Sequence, residues 1–349
     1  MNHRIFTRRP IGIGLLGILF FSIAGPLSTV PELQAASASA TAKLVKKLKK
    51  QIKILKAQLA IARQPAPVIP AAPVIPFGFR AIPGGSFTMG ATSGDTDADA
   101  PPTSVTVSLF YLAETETTKA EWDEVRTWGA SNGYSDLGAG EGKGPAHPVQ
   151  TVTWWDVVKW CNARSEKEGL TPCYRVAGNV MRTGTTDPTV DWEANGYRLP
   201  TEAEWEKAAR GGVAGKRFPW GSDSISHEEA NYNNSNGEPY ASGTLSLHPI
   251  YATGVSPHTS QAGSFGWNGY GLKDMAGNVF EWCWDAYETD YYGTDLTDPR
   301  GPATGFSRVY RGGSWGGPAA SARASNRAFN GSPISHGTVG FRTARSVLP

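Results

Sequence analysis

Redox and soft-metal chemistry is built most often from thiolates and imidazoles, and this chain carries few of either in any useful pattern. Its three cysteines are Cys161, Cys173 and Cys283. Cys161 and Cys173 lie close enough in sequence for a disulfide that closes a short loop, which leaves an odd thiol. Among the histidines, His147 precedes Pro148, His227 sits beside Glu228 and Glu229, and His248, His258 and His336 stand apart, so none has metal-ligand spacing. "GAGEGKG" at 138–144 lacks the closing GK[ST] of a phosphate loop. The stretch "RVYRGGSWGGPAASARASNRAFNGS", residues 308–332, is denser in polar groups but holds no Cys, His, Asp or Glu. Ser314, Trp315, Arg323, Ser325, Asn326, Arg327 and Asn330 are its candidate cleft residues. Its arginines could fork onto a carboxylate or phosphate. They could equally, with Arg342, pair internally with acids such as Glu202, Glu204 and Glu281, and Trp315 reads more readily as core than as a sugar platform.

The elements that would position these residues are mostly short. "AIPGGSFTMG" (81–90) reads as a turn and a strand, and Val105–Leu109 alternates as a strand. Three helices announce themselves by capping boxes: Thr118 with Glu121, Thr153 with Asp156, and Thr201 with Glu204. Gly169 can stop the second, and Gly211 and Gly212 the third. "VYRGGSW" and "VGFRTARSV" read as core strands, and the segment 213–270, rich in Asn, Ser, Gly and Pro, has little periodicity. Few helices, short strands, 41 Gly and 12 Trp predict an α+β domain around a small sheet rather than a bundle.

Ahead of this domain, residues 1–36 have the basic start, apolar run and small-residue sites of a secretory signal, with cleavage sites as far as Ala40. An exported, periplasmic, extracellular or envelope-associated protein is expected. Residues 41–63 carry Leu44, Leu48, Ile52, Leu55, Leu59 and Ala62 at steps of three and four among seven lysines. That spacing gives an amphipathic helix or short coiled coil, with self-association as its candidate role. Residues 64–78 repeat Ala-Pro-Val-Ile-Pro and form a stiff linker. The domain then runs over 79–349. Residues 1–63 hold 11 Lys/Arg and one acid, against 22 Lys/Arg and 30 acids in the rest. A basic tail on an acidic body excludes a nucleic-acid-binding domain.

Five phrases taken together are specific: "IPGGSFTMG" (82–90), "HPVQTVTWWDVVKWCNAR" (147–164), "GYRLPTEAEWEKAARGG" (196–212), "GYGLKDMAGNVFEW" (269–282) and "YRGGSW…GFRTAR" (310–345). In order and spacing they resemble the formylglycine-generating enzyme, or sulfatase-modifying-factor, family. The resemblance implies a C-type-lectin-like variant of an α+β fold, low in regular secondary structure. In that family two cysteines after the GGSW-like phrase bind copper(I) for oxidation of a sulfatase cysteine. The corresponding positions here are Gly317 and Ala322, so copper is not expected. The resemblance also implies calcium, with Asn231 and Tyr232 matching part of one site and Asn268, Gly269 and Gly271 part of another. The expectation is a non-copper binding or scaffold module whose partner is a peptide or glycan. The alternatives are an oxidase with a non-standard site and a structural component of the cell envelope.

Overall fold

The computed structural model describes residues 30–62 and 74–347, except 93, 96–99, 290–295, 303 and 304. The expected signal run before residue 30, and most of the Pro-rich segment, lie outside the described residues. The chain divides into two units at Ala72/Pro73.

Among the described residues the first unit holds one helix, α1 (Val30–Ala62). It begins well before residue 41 and runs through the expected cleavage region. "AASASATA" has no breaker, and alanine is the strongest helix former, so nothing stops the helix there. The side chains of residues 37–60 are exposed, those of Leu44, Val45, Leu48, Ile52, Leu55 and Leu59 included.

The second unit contains, in chain order, β1 (Phe79–Ile82), β2 (Gly85–Met89), β3 (Thr103–Val107), β4 (Phe110–Ala113), α2 (Lys119–Ala130) and α3 (Trp154–Lys167). There follow β5 (Tyr174–Val176), β6 (Asn179–Val180), β7 (Thr189–Val190), β8 (Tyr197–Arg198) and α4 (Glu202–Ala209). The last strands are β9 (Phe280–Ala286), β10 (Ser307–Arg311), β11 (Ala328–Gly331), β12 (Val339–Gly340) and β13 (Ala344–Ser346). One four-stranded sheet has the order β1-β4-β13-β8, and a second β11-β10-β9-β12. β12 joins the second sheet parallel to β9, whereas β13 pairs antiparallel with β4 and β8 in the first. The stretch expected as one strand, "VGFRTARSV", is thus two short strands in different sheets. Phe341, Arg342 and Thr343 carry the chain across, all fully buried.

All three capping boxes form as the sequence predicts. Thr118, Thr153 and Thr201 accept from the backbone N–H three residues on, and Glu121, Asp156 and Glu204 reach back. α3 buries Trp154, Val157, Val158, Trp160, Cys161 and Ala163, while α4 is buried on every side. Trp122 and Trp160 stack at 5.8 Å, and Phe341 meets both rings edge-on. Indole N–H groups in this core find carbonyl partners, as Trp154 does with Cys283 and Trp282 with Val152. No helix is long and apolar enough to cross a membrane among the described residues.

Candidate functional site

β10 ends at Arg311, and Gly312 and Gly313 turn the chain with φ of 95° and 78°. Glycine is required twice over at this turn. A Cβ on Gly312 would lie 2.9 Å from the Trp205 ring, and one on Gly313 2.9 Å from the Ala322 amide. The turn buries Ser314 and leaves Trp315 half-buried. The Trp315 amide donates to Asn278 O at 2.8 Å and its indole to Gly337 O at 3.0 Å. Its ring meets His258 edge-on, with centroids 5.1 Å apart. Gly317 is held from both sides: its amide donates to Ser314 O, and its carbonyl accepts from Asn233.

Gly317 and Ala322 have no side chain that can ligate a metal. Ala322 is buried in a cluster with Phe218, Ile225, Tyr232 and Ala276. None of the cysteines replaces them. Cys161 and Cys173 belong to the core around Trp122 and Trp154, and Cys283 to the one around Trp205 and Val309. All three are free and fully buried, so the expected Cys161–Cys173 disulfide is not formed. Burial pushes each thiol up in pKa, Cys173 to about 11 and Cys161 and Cys283 further. A thiol that resists ionisation is a small hydrophobe, not a soft ligand.

The arginines of this segment make ion pairs inside the domain. Arg327 forks onto Glu202 through Nε and Nη2, at 2.8 and 3.1 Å. Arg311 lies between Glu206, at 2.5 Å, and Glu202, at 3.6 Å, and donates to the carbonyls of Ala324 and Ser325. Arg323 pairs with Asp95 at 3.0 Å, and Arg217 reaches the same carboxylate at 2.8 Å. Burial alone would raise the Asp95 pKa, but hydrogen bonds from Arg217 and Thr92 and the charge of Arg323 bring it below the usual range. Arg308 meets Asp187, and Arg342 forks onto Glu281 at 2.7 Å through both nitrogens. Arg323, Ser325 and Arg327 are all buried. Asn326 and Asn330 stay half-buried, the first lending its carbonyl to Arg311 and the second accepting from the Gly331 amide. Of the seven cleft candidates, Trp315, Asn326 and Asn330 keep accessible surface.

The two calcium groups part in the same way. Asn268 Oδ1 already accepts from the Tyr270 and Leu272 amides, at 3.0 and 3.1 Å. Its Nδ2 donates to Ala208 and Ala209 at the end of α4. Gly269 packs on Gly211, where a Cβ would come within 2.2 Å of the carbonyl oxygen, and Gly271 takes a positive φ beside Arg80. That segment is a helix-end clamp. Asn231 differs: its Nδ2 donates to His258 O at 2.9 Å, but its Oδ1 is buried without a partner. The neighbouring Tyr232 carbonyl faces His227 Nε2 at 3.2 Å. Among the described residues no group of three or more His, Cys, Asp or Glu could hold a metal ion.

Several residues near the turn were not legible as site residues. Asn278, at φ 60°, accepts from the Ser260 amide through Oδ1 and donates to Glu116 through Nδ2. Glu116 is buried beside Asp274 and Glu281, and desolvation together with those charges raises its pKa well above the ordinary value. His258 reaches Trp315 only through tertiary folding, and its Nδ1 is another buried, unpartnered atom, like Ser260 Oγ. A separate cavity of about 250 Å³ is lined by Trp192, Arg198, Glu204, Asp298 and Arg300, with the Arg300 guanidinium 4.4 Å from the Trp192 ring centroid.

The model of the "Sulfatase-modifying factor enzyme 1-like domain" family matches residues 72–347. The chain belongs to this family. It is 32% identical over 310 residues to a formylglycine-generating enzyme of Streptomyces coelicolor, covering 82% of this chain and 95% of that one. It is 34% identical over 224 residues to "Chaperone protein LppX" of Paenibacillus barcinonensis, 60% of this chain and 71% of that protein. Among solved structures it is similar to Treponema denticola variable protein 1, with a TM-score of 0.59, 28% identity and coverage of 76% and 94% of the two chains. This sulfatase-modifying-factor domain thus has the family's α+β fold without paired active-site cysteines.

Proposed function

We propose that this protein is an exported, non-copper member of the family that binds a polypeptide segment at the inherited cleft beside Trp315. The C-type-lectin-like form of the fold belongs to the same reading. The observation that carries it is that all three thiols are locked in cores, so no cysteine pair stands after Trp315, where the resemblance matches the copper positions to Gly317 and Ala322. On this reading copper chemistry lacks the family's thiolate pair. The half-exposed Trp315 and the His258 edge against it give an aromatic surface, while Asn326 and Asn330 lie toward the β11 side of the sheet. Such a surface suits a peptide, with a glycan as the alternative ligand. The chaperone name of one relative supports a role in holding another protein. Calcium fits Asn231 Oδ1 and the Tyr232 carbonyl better than Asn268, whose amide is fully engaged. It would stabilise the loop around Asn231 and take no part in chemistry.

The test is a copper(I) titration under reducing conditions against a competing chelator, with oxygen uptake followed on a cysteine-containing peptide. The expected result is no stoichiometric copper, no oxygen uptake, and saturable peptide binding weakened by Trp315→Ala. One tight copper per chain, lost in Cys161→Ser, Cys173→Ser or Cys283→Ser, would establish the oxidase reading instead.

A further inference from the structure

We infer that α1 is one strand of a parallel, two-stranded coiled coil, so that two copies of this chain associate through it. The helix has an apolar seam with every member exposed: Val45, Leu48, Ile52, Leu55 and Leu59 are each between 43% and 61% accessible. Their steps alternate three and four, the heptad pattern of a supercoiled pair. Val45, Ile52 and Leu59 fall at a positions, and Leu48 and Leu55 at d. Branched residues at a with leucine at d favour two parallel strands.

The lysines fix partner and direction. In this register Lys43, Lys46, Lys47, Lys50 and Lys53 fall at b, c and f, away from the seam. Lys49 and Lys56 fall at e, while the g positions hold Leu44, Gln51 and Gln58. A parallel copy sets each g residue beside the following e residue of its partner. Gln51 then meets Lys56 of the second copy and can accept its hydrogen bond, and Leu44 lies along the aliphatic stem of Lys49. An antiparallel copy would set Lys49 against Lys56 twice, a like-charge contact at the edge of the seam. The charge pattern thus tolerates a second copy in one direction only.

A membrane surface is the competing occupant, since seven lysines would favour anionic headgroups. Two features weigh against it. The stripe is a narrow seam rather than the broad face an interfacial helix sinks into lipid, and α1 contains no Trp, Tyr or Phe to anchor at the headgroups. From Val45 to Leu59 the seam runs about 21 Å at 1.5 Å per residue. That is short for a coiled coil, so the association depends on concentration. It is independent of what the domain binds.

The test is sedimentation equilibrium of the purified full chain over a wide concentration range. Its mass should rise from one chain to two, and Ile52→Lys should raise the dissociation constant at least about tenfold while leaving the thermal unfolding of the domain unchanged. Leu48→Cys places a thiol at a d position, where only the in-register parallel pair brings it to its own copy. That variant should form an interchain disulfide under mild oxidation, and the native thiols, all buried, do not compete. A chain that stays monomeric, a three-chain mass, or a dimer in which Leu48→Cys fails to cross-link would each overturn the proposal. So would a monomer that binds phosphatidylglycerol vesicles through the same seam.

Discussion

At the scale of single residues, the arginines decide how the segment after Trp315 is understood. Arg311, Arg327 and Arg342 are fully buried, and each neutralises carboxylates that would otherwise be charged away from water. Removing one partner of such a pair leaves the other uncompensated, at a cost of about 3–5 kcal/mol. Arg342→Ala, which leaves Glu281 without its forked partner, should lose about that much in urea unfolding, whereas Arg311→Ala and Arg327→Ala should each lose less, because Glu202 keeps the other arginine and Glu206 keeps Arg210. If Arg327→Ala keeps full stability but loses ligand binding, Arg327 is a cleft residue after all. The sequence contained both readings, because a guanidinium suits a ligand carboxylate and Glu202 equally well. Only the position of α4 behind β10 separates them.

At the scale of elements, the sequence was most informative where the chemistry is local. A threonine and an acid three residues apart satisfy each other without help from the rest of the chain, and all three boxes read from the sequence are present. Thr201 is the most consequential of them, because Glu204 both closes the box and forks onto Arg198 at 2.6 and 2.7 Å. Thr201→Ala should cost about 1–2 kcal/mol, and the more exposed Thr118→Ala nearer 0.5 kcal/mol; chemical denaturation of the two variants makes the comparison. Equal losses would mean that burial does not strengthen the cap. The final strands were less legible. Nothing local in "VGFRTARSV" shows that Arg342 is pinned by Glu281 and by the carbonyls of Ala113, Glu114, Lys273 and Asp274, so that the chain changes sheets around it. The start of α1 was missed for the opposite reason: its Ala/Ser run has helix-forming composition but no periodicity to mark it.

At the scale of the whole domain, distant segments meet, and this is where the site was least visible in the sequence. His227 and His248 stand apart in the chain, yet their rings lie 5.0 Å apart, and His248 Nε2 is 2.7 Å from the His227 carbonyl. Burial lowers the pKa of both. Unfolded histidine titrates near pH 6.5, so between the folded and unfolded values the unfolded chain binds more protons. The stability these groups contribute is complete above about pH 6.5 and is lost as pH falls through the folded values. Glu116 acts in the opposite sense: its raised pKa makes the folded state relatively more favourable as pH falls. The melting temperature should therefore fall less on acidification from about pH 7 to 5 in His248→Gln than in the parent. Identical slopes would show that His248 does not carry the effect. Asn231, Asn278, Ser260 and His258 likewise come together only in the folded chain, from segments without helical or strand periodicity.

The three buried thiols have a consequence for the life of the chain. An oxidant, a mercurial or a glutathione disulfide meets no sulfur on the surface of the folded domain, since Cys161, Cys173 and Cys283 are sealed in two separate cores. The sulfurs are open to attack only before those cores close. Damage is then set by the interval between synthesis and burial rather than by the age of the finished protein, and a slow-folding molecule is the one that becomes scarred.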